Sequence, residues 1–168
     1  MAMQYDVKSG HLNNTGFVVL GRTRLKALST VGSATAGTLD VFDTTTAPVS
    51  ATYERAAALV TVTKNGHGLV TGNVVGITFA TAGGVSATNS NYSITRVDAN
   101  TFTVTDINSG TIASGTGALY ASLWIASYDI GATDVFGNFA LIPGEGVLVR
   151  NGLYLSMTNL TSANVYYG

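Results

Sequence analysis

His11 and His67 are the two imidazoles of this 168-residue chain, and it contains no cysteine. A nucleophilic triad needs a base beside the nucleophile and a third group to orient that base. His67 lies in the tight turn Gly66-His67-Gly68, where a ring hydrogen-bonded to backbone is the expected use. His11 lies in a polar N-terminal stretch and reads as a solvated or interface side chain. Neither is followed by a Gly-x-Ser-x-Gly elbow. Two histidines so far apart in sequence, without cysteine, do not make a zinc pattern. Asp40 and Asp43 flank Val41-Phe42, and Asp129 and Asp134 flank Ile130–Thr133. A calcium loop wants oxygen ligands at alternate positions, so these aspartates are expected to cap turns. Glu54 and Glu145 do not form an acid pair by spacing, and no glycine-rich phosphate cradle opens a helix. Asn13-Asn14-Thr15, Asn91-Tyr92-Ser93 and Asn159-Leu160-Thr161 match the glycan sequon, which has no meaning without secretion. The expectation is therefore no catalytic residue, no cofactor and no metal.

The remaining charged cluster is Arg22, Arg24 and Lys26. Strand alternation places the three on one face, with Thr23 and Leu25 on the other. Three uses are open: a solvated face, a stripe that docks on an acidic neighbour such as a copy of the C-terminal segment, or nucleic-acid contact. Like charges on one strand face repel unless something opposes them. Glu145, in the exposed turn Pro143-Gly144-Glu145-Gly146, suits an interface salt bridge. The candidate subunit-interface set is Arg22, Arg24, Lys26, Glu145, Arg150 and Tyr154.

These few charges stand out because the chain has so few. Lys and Arg number 8 and Asp and Glu 9, giving a net charge of −1, and only 10% of residues are charged while 46% are hydrophobic. An average domain is about 25% charged. A net charge of −1 leaves no cationic footprint for duplex nucleic acid. The apolar content argues against disorder. The start, MAMQYDVKSG, lacks the basic and apolar regions of a signal peptide, and no apolar run reaches membrane-span length. A soluble product assembled in the cytoplasm is expected, with neither nucleic acid nor membrane as partner.

Nearly every segment that must position these residues reads as strand, with β-branched and aromatic residues punctuated by Gly, Asn, Asp and Ser. Gly16–Leu28 is expected as one long strand bulged at Gly21, followed by Thr38–Phe42. Leu59–Thr63 and Val74–Phe79 are further strands, Gly76 marking a bulge or a close backbone approach. In a hairpin of Tyr92–Val97 and Thr101–Thr105, Tyr92, Ile94, Phe102 and Val104 share one face and Ser93, Thr95, Thr101 and Thr103 the other. A second hairpin is expected at Val147–Arg150, Asn151-Gly152, Leu153–Met157, through a type I′ turn that pairs Leu148 with Leu155 and Val149 with Tyr154. Apolar pairs on both faces of it suggest cover by a sheet on one side and a partner on the other. No segment has a helical period.

Composition changes at Thr44-Thr45-Thr46-Ala47-Pro48 and again at Gly115-Thr116-Gly117. Residues 1–44 carry net +1, residues 45–117 carry 0, and residues 118–168 carry −2. The fold class expected is all-β: a β-sandwich or barrel-like host domain from 1–44 plus 118–168, with a small β module inserted at 45–117. Insertion at an exposed loop is thermodynamically mild.

Two resemblances bear on function. The middle segment reads Val60-Thr-Val-Thr, then Gly66-His67-Gly68-Leu69-Val70-Thr71-Gly72-Asn73-Val74-Val75, Tyr92-Ser-Ile-Thr, and Asn100-Thr101-Phe102-Thr103-Val104. It resembles the small β module with an H-G-L-x-x-G turn that recurs in phage tail and other virion proteins. Asn73 stands where an acidic residue is common there. The flanks, through Gly21–Leu25, Ala34–Leu39, Ile142–Leu148 and Leu155–Gly168, are similar to short Gly/Thr-rich virion proteins of marine and other tailed phages. These resemblances imply a non-catalytic virion structural protein, with the virion as its location and other virion proteins, the major capsid protein or tail proteins, as partners. A capsid decoration or cement subunit is the first expectation, as a homo-oligomer, of which a trimer is one closed form. The alternative is a tail fibre, nozzle or host-surface adhesin, with Tyr128, Phe136 and Phe139 as candidate recognition aromatics, although core packing is the first expectation for each.

Overall fold

The computed structural model describes residues 7–80, 85–132 and 138–168, and all regular elements among them are strands, as expected of an all-β chain. In chain order they are β1 (Lys8–Leu12), β2 (Gly16–Leu20), β3 (Thr23–Gly32), β4 (Gly37–Asp43), β5 (Val49–Ala56), β6 (Leu59–Thr63), β7 (Val74–Ala80) and β8 (Ser90–Ser93). They continue with β9 (Thr95–Arg96), β10 (Thr101–Thr105), β11 (Ile112–Ala121), β12 (Leu123–Ile130), β13 (Asn138–Leu141), β14 (Val147–Val149), β15 (Gly152–Thr158) and β16 (Leu160–Tyr167). The chain divides into two compact units, Met1–Ala47 with Ile125–Gly168, and Pro48–Trp124.

The first unit is a sandwich. One sheet runs β1-β16-β3-β13, with β14 also on β3, and the other runs β12-β4-β15-β2. Apart from β4 to β12, which flank the second unit in sequence, and β13 to β14, consecutive strands of this unit alternate between the sheets. Leu25, Leu28, Val149, Ala163 and Val165 from the first sheet meet Leu39, Val41, Ile130, Leu153 and Leu155 from the second in one buried core. Such alternation needs tight corners. Gly21 supplies one, at φ +98°, its N–H donating to the Asn151 carbonyl at 2.8 Å. Asn159, at φ +53°, supplies another.

The second unit is a nearly closed barrel. Its strand order is β8-β7-β11-β5-β6-β10-β9, and the two ends of that order, β8 and β9, are separated in sequence only by Ile94. One bent segment thus pairs β7 with its first half and β10 with its second. At the bend the Ile94 N–H donates to the Asn73 carbonyl, and its own carbonyl accepts from Gly72 N–H, both at 3.0 Å. Alternation fills the interior: Val60, Val62, Ile94, Phe102 and Val104 are buried, whereas Thr63 and Thr95 are exposed. Closure removes the sheet edges that would otherwise invite pairing with another chain.

Four sequence expectations are corrected. Gly16–Leu28 is two strands, because the chain turns at Gly21-Arg22 to change sheets. The Asn151-Gly152 hairpin does not form: β14 pairs β3 and β15 pairs β4 and β2, so Leu148 lies opposite Arg24 and Tyr154 opposite Phe42 and Phe17. Neither Asn151 nor Gly152 has the positive φ of a type I′ turn. The inserted unit begins after Ala47, since Thr44 still donates its N–H to the Gly152 carbonyl at 2.9 Å. It ends at Trp124 rather than 117, because β11 stays paired with β7 as far as Ala121.

Candidate functional site

In the H-G-L-x-x-G loop the Leu69 N–H donates to His67 Nδ1 at 3.0 Å, which makes Nδ1 the acceptor. Nε2 therefore carries the proton and faces the Asp98 carbonyl at 3.1 Å. The ring also stands edge-on to Phe102, with centroids 5.3 Å apart. Both nitrogens are thus committed to backbone, as the Gly-His-Gly spacing suggested. The other signature side chains act likewise. Asn73 Oδ1 accepts from Val70 N–H at 3.0 Å, Thr71 Oγ1 from Arg96 N–H at 2.9 Å, and Asn100 Oδ1 from Gly66 N–H at 3.0 Å. An amide at Asn73 does the accepting that a carboxylate would do there. The motif is a set of loop locks.

A second polar centre lies inside the barrel. Arg55 Nη1 is paired with Asp106 Oδ2, the two side chains being 4% and 0% exposed. The guanidinium also donates from Nε to the Gly110 carbonyl at 3.1 Å and from Nη2 to the Ser109 carbonyl at 3.4 Å. The Asp106 carboxylate accepts from Thr88 N–H at 3.3 Å and from Asn108 N–H at 3.2 Å. Burial alone would push its carboxyl up, but the hydrogen bonds from Thr88, Asn108 and Arg55 together outweigh that and hold it below the ordinary value. Tyr92, whose hydroxyl donates to the Thr88 carbonyl at 2.5 Å, is pushed up to about 12 by burial and then by the Asp106 charge. The pair pins Thr88 and residues 108–110 to β5.

A third centre replaces the expected hairpin turn. Asp43, 3% exposed at the end of β4, accepts the N–H groups of Arg150 at 2.9 Å, Asn151 at 2.8 Å and Gly152 at 3.2 Å. Three aligned donors on one carboxylate hold the chain as it crosses from β14 to β15. Asp40, also buried, has its carboxyl pushed up by burial, with the Asp129 charge adding and a Ser127 hydrogen bond opposing.

Of the candidate interface residues, the structure brings three together. Arg24 Nη2 lies 3.1 Å from Glu145 Oε2, and Lys26 Nζ donates to the Glu145 carbonyl at 3.0 Å. The acidic neighbour sought for the stripe is therefore in the same chain, at the turn between β13 and β14. The Glu145 side chain is 82% exposed, so the pair is worth no more than about 1 kcal/mol. Arg22 is apart from them, exposed in the turn before β3, and Arg150 is exposed in the turn after β14. Tyr154 is 9% exposed, edge-on to Phe17 at 4.8 Å, so β15 is covered on both faces within a single chain. His11 Nδ1 meets Asn164 Oδ1 at 2.7 Å across β1 and β16.

Phe139 is 61% exposed and edge-on to Tyr166, and Leu141 beside it is 70% exposed, both on β13 at the margin of its sheet. Tyr128 packs on the sandwich core, and Asp134 and Phe136 lie outside the described residues. Between β12 and β13 is a cleft of about 290 Å³ lined by Leu28, Thr30, Leu39, Tyr128, Asp129, Ile130 and Phe139 among others. Among the described residues its walls offer a carboxylate and hydroxyls but no imidazole, thiol or amine to activate them. Among the described residues no three His, Cys, Asp or Glu side chains gather as metal ligands, and no helix is long and apolar enough to cross a membrane.

Sequence reasoning passed over Arg55, Asp106 and Asn91. The signal for the first two was present: Tyr53 and Arg55, and Phe102, Val104 and Asp106, continue one inward-facing alternation. Asn91 had only its sequon. Its side chain holds the Trp124 backbone, accepting from the N–H at 2.8 Å and donating to the carbonyl at 3.0 Å. No protein-family model matches the chain, and a search of curated proteins finds no match.

Proposed function

We propose that the chain is a non-catalytic structural subunit of a tailed-phage virion, a decoration or cement protein that binds the assembled capsid as a homo-oligomer. The observation that carries this reading is the margin of the sandwich. Phe139 and Leu141 on β13, and Leu20 on β2, are 61%, 70% and 66% exposed on uncharged strands. Uncharged apolar margins fit occupation by neighbours, since free edges are ordinarily protected by charge or proline. The locked H-G-L-x-x-G loop supports a scaffold role for the barrel, in line with the module it resembles. Imaging of virions with the chain labelled tests the location: icosahedral occupancy supports decoration, and label confined to one vertex overturns it. Sedimentation of the purified chain tests association. Oligomers lost in the double variant Phe139→Ser, Leu141→Lys are expected, and a monomer unaffected by it overturns this role for the margin.

A tail adhesin is the second reading. It is favoured by Val70, Val85, Val97 and Ile107, which are 54–85% exposed and lie between strands of the barrel. Label at the tail vertex alone would select it.

A further inference from the structure

Asn65-Gly66 and Asn151-Gly152 are the two Asn-Gly sequences of the chain. In such a pair the glycine backbone nitrogen can attack the asparagine Cγ, since no Cβ obstructs the approach. A bond forms between that nitrogen and Cγ, the Cγ–Nδ2 bond breaks, and ammonia leaves. Water then opens the resulting five-membered imide at either carbonyl, giving aspartate or isoaspartate. Water is the sole co-reactant. The attack requires the glycine nitrogen to surrender its proton and its hydrogen bond, and the backbone to rotate.

The fold treats the two sites differently. At Asn151-Gly152 the Gly152 nitrogen is buried and donates to the buried Asp43 carboxylate, which also holds the two preceding N–H groups. The Asn151 carbonyl accepts from Gly21, and a Cβ placed on Gly152 would lie 2.6 Å from the Thr44 carbonyl oxygen, so the backbone has no room to swing. At Asn65-Gly66 both residues are exposed, and the space a Cβ would occupy on Gly66 is open for 4 Å. One neutral bond restrains the nucleophile there, from Gly66 N–H to Asn100 Oδ1 at 3.0 Å.

We propose that Asn65 is a site of spontaneous deamidation in the folded protein, gated by the hydrogen bond that Gly66 N–H donates to Asn100. The product adds a negative charge to a chain of net charge −1. Isoaspartate also adds a methylene to the backbone between Lys64 and His67, whose N–H groups are held to the Asn100 and Ala99 carbonyls at 2.8 and 3.2 Å. The modified turn must therefore loosen the loop that His67 locks.

The test is peptide mapping by mass spectrometry of the full chain during incubation at mildly alkaline pH. Asn65 is expected to convert well before Asn151 in the folded protein, and the two at similar rates in urea. Asn100→Ala should speed conversion at Asn65 about fivefold, the equivalent of one neutral hydrogen bond of about 1 kcal/mol. Asn100→Asp keeps an acceptor, now a charged one, and should bring the rate back to the original or below it. Equal conversion of the two sites in the folded chain overturns the proposal. So does an unchanged rate at Asn65 in Asn100→Ala, or an equal acceleration of Asn151, which would report general loosening rather than a local gate.

Discussion

Replacing Asp106 by alanine leaves the Arg55 guanidinium, only 4% exposed, with two backbone carbonyls and no counter-charge. It also strips the acceptor from the N–H groups of Thr88 and Asn108. Removing one member of a buried ion pair costs about 3–5 kcal/mol, because the other charge stays desolvated. A domain is stable by only about 5–15 kcal/mol, so the barrel of Asp106→Ala should be close to its unfolding threshold. Trp124 is the sole tryptophan and belongs to the barrel unit, so its fluorescence in a urea titration reports that unit. The double variant Arg55→Leu, Asp106→Leu buries no charge and should recover much of the loss. The pH dependence follows from the depressed Asp106 carboxyl. Its contribution is complete above the unfolded aspartate value, roughly 3.9, and fades as pH falls through the lower folded-state value. The wild-type barrel should therefore lose stability below pH of about 4, and Asp106→Ala should lose less over that interval. A cost under about 1 kcal/mol for the single variant, or a double variant as unstable as the single one, would refute this reasoning.

Asp43→Ala should lower sandwich stability by about 3 kcal/mol in calorimetry, since three backbone donors lose one carboxylate, while Asp43→Asn should cost less by keeping one acceptor oxygen. Gly76→Ala should cost about 3 kcal/mol or more by urea titration, because its Cβ would lie 1.9 Å from the Trp124 backbone nitrogen. Ala57, at φ +54° in the two-residue turn between β5 and β6, should gain about 0.5 kcal/mol on replacement by glycine. That gain is the left-handed strain relieved, less the freedom glycine adds to the unfolded chain, and it should appear as a raised urea midpoint.

The alternation of Val60 and Val62 with Thr61 and Thr63, and of Phe102 and Val104 with Thr101 and Thr103, was readable because side chains in a strand alternate between faces. The turn between β9 and β10 was readable at Asp98–Asn100, and the use of His67 from its glycine neighbours. Arg24, Lys26 and Glu145 were singled out by charge in a chain with few charges. Their meeting within one molecule was not readable, since it depends on β13 and β14 both lying against β3.

The alternation pattern by itself determined that this chain is built of strands, and which side chains of the segments around Ile94 and Phe102 turn inward. Only the tertiary structure decided which strand lies beside which. Asn151-Gly152 has the composition of a local hairpin, yet the buried Asp43 carboxylate outbids that turn by holding three successive N–H groups and sending the chain to the other sheet. Likewise the segment from Tyr92 to Arg96 reads as one arm of a hairpin, and becomes the seam of a barrel because Ile94 bonds to Gly72 and Asn73. Inward and outward facing is a property of consecutive residues, whereas pairing is settled by donors and acceptors that lie far apart in the chain.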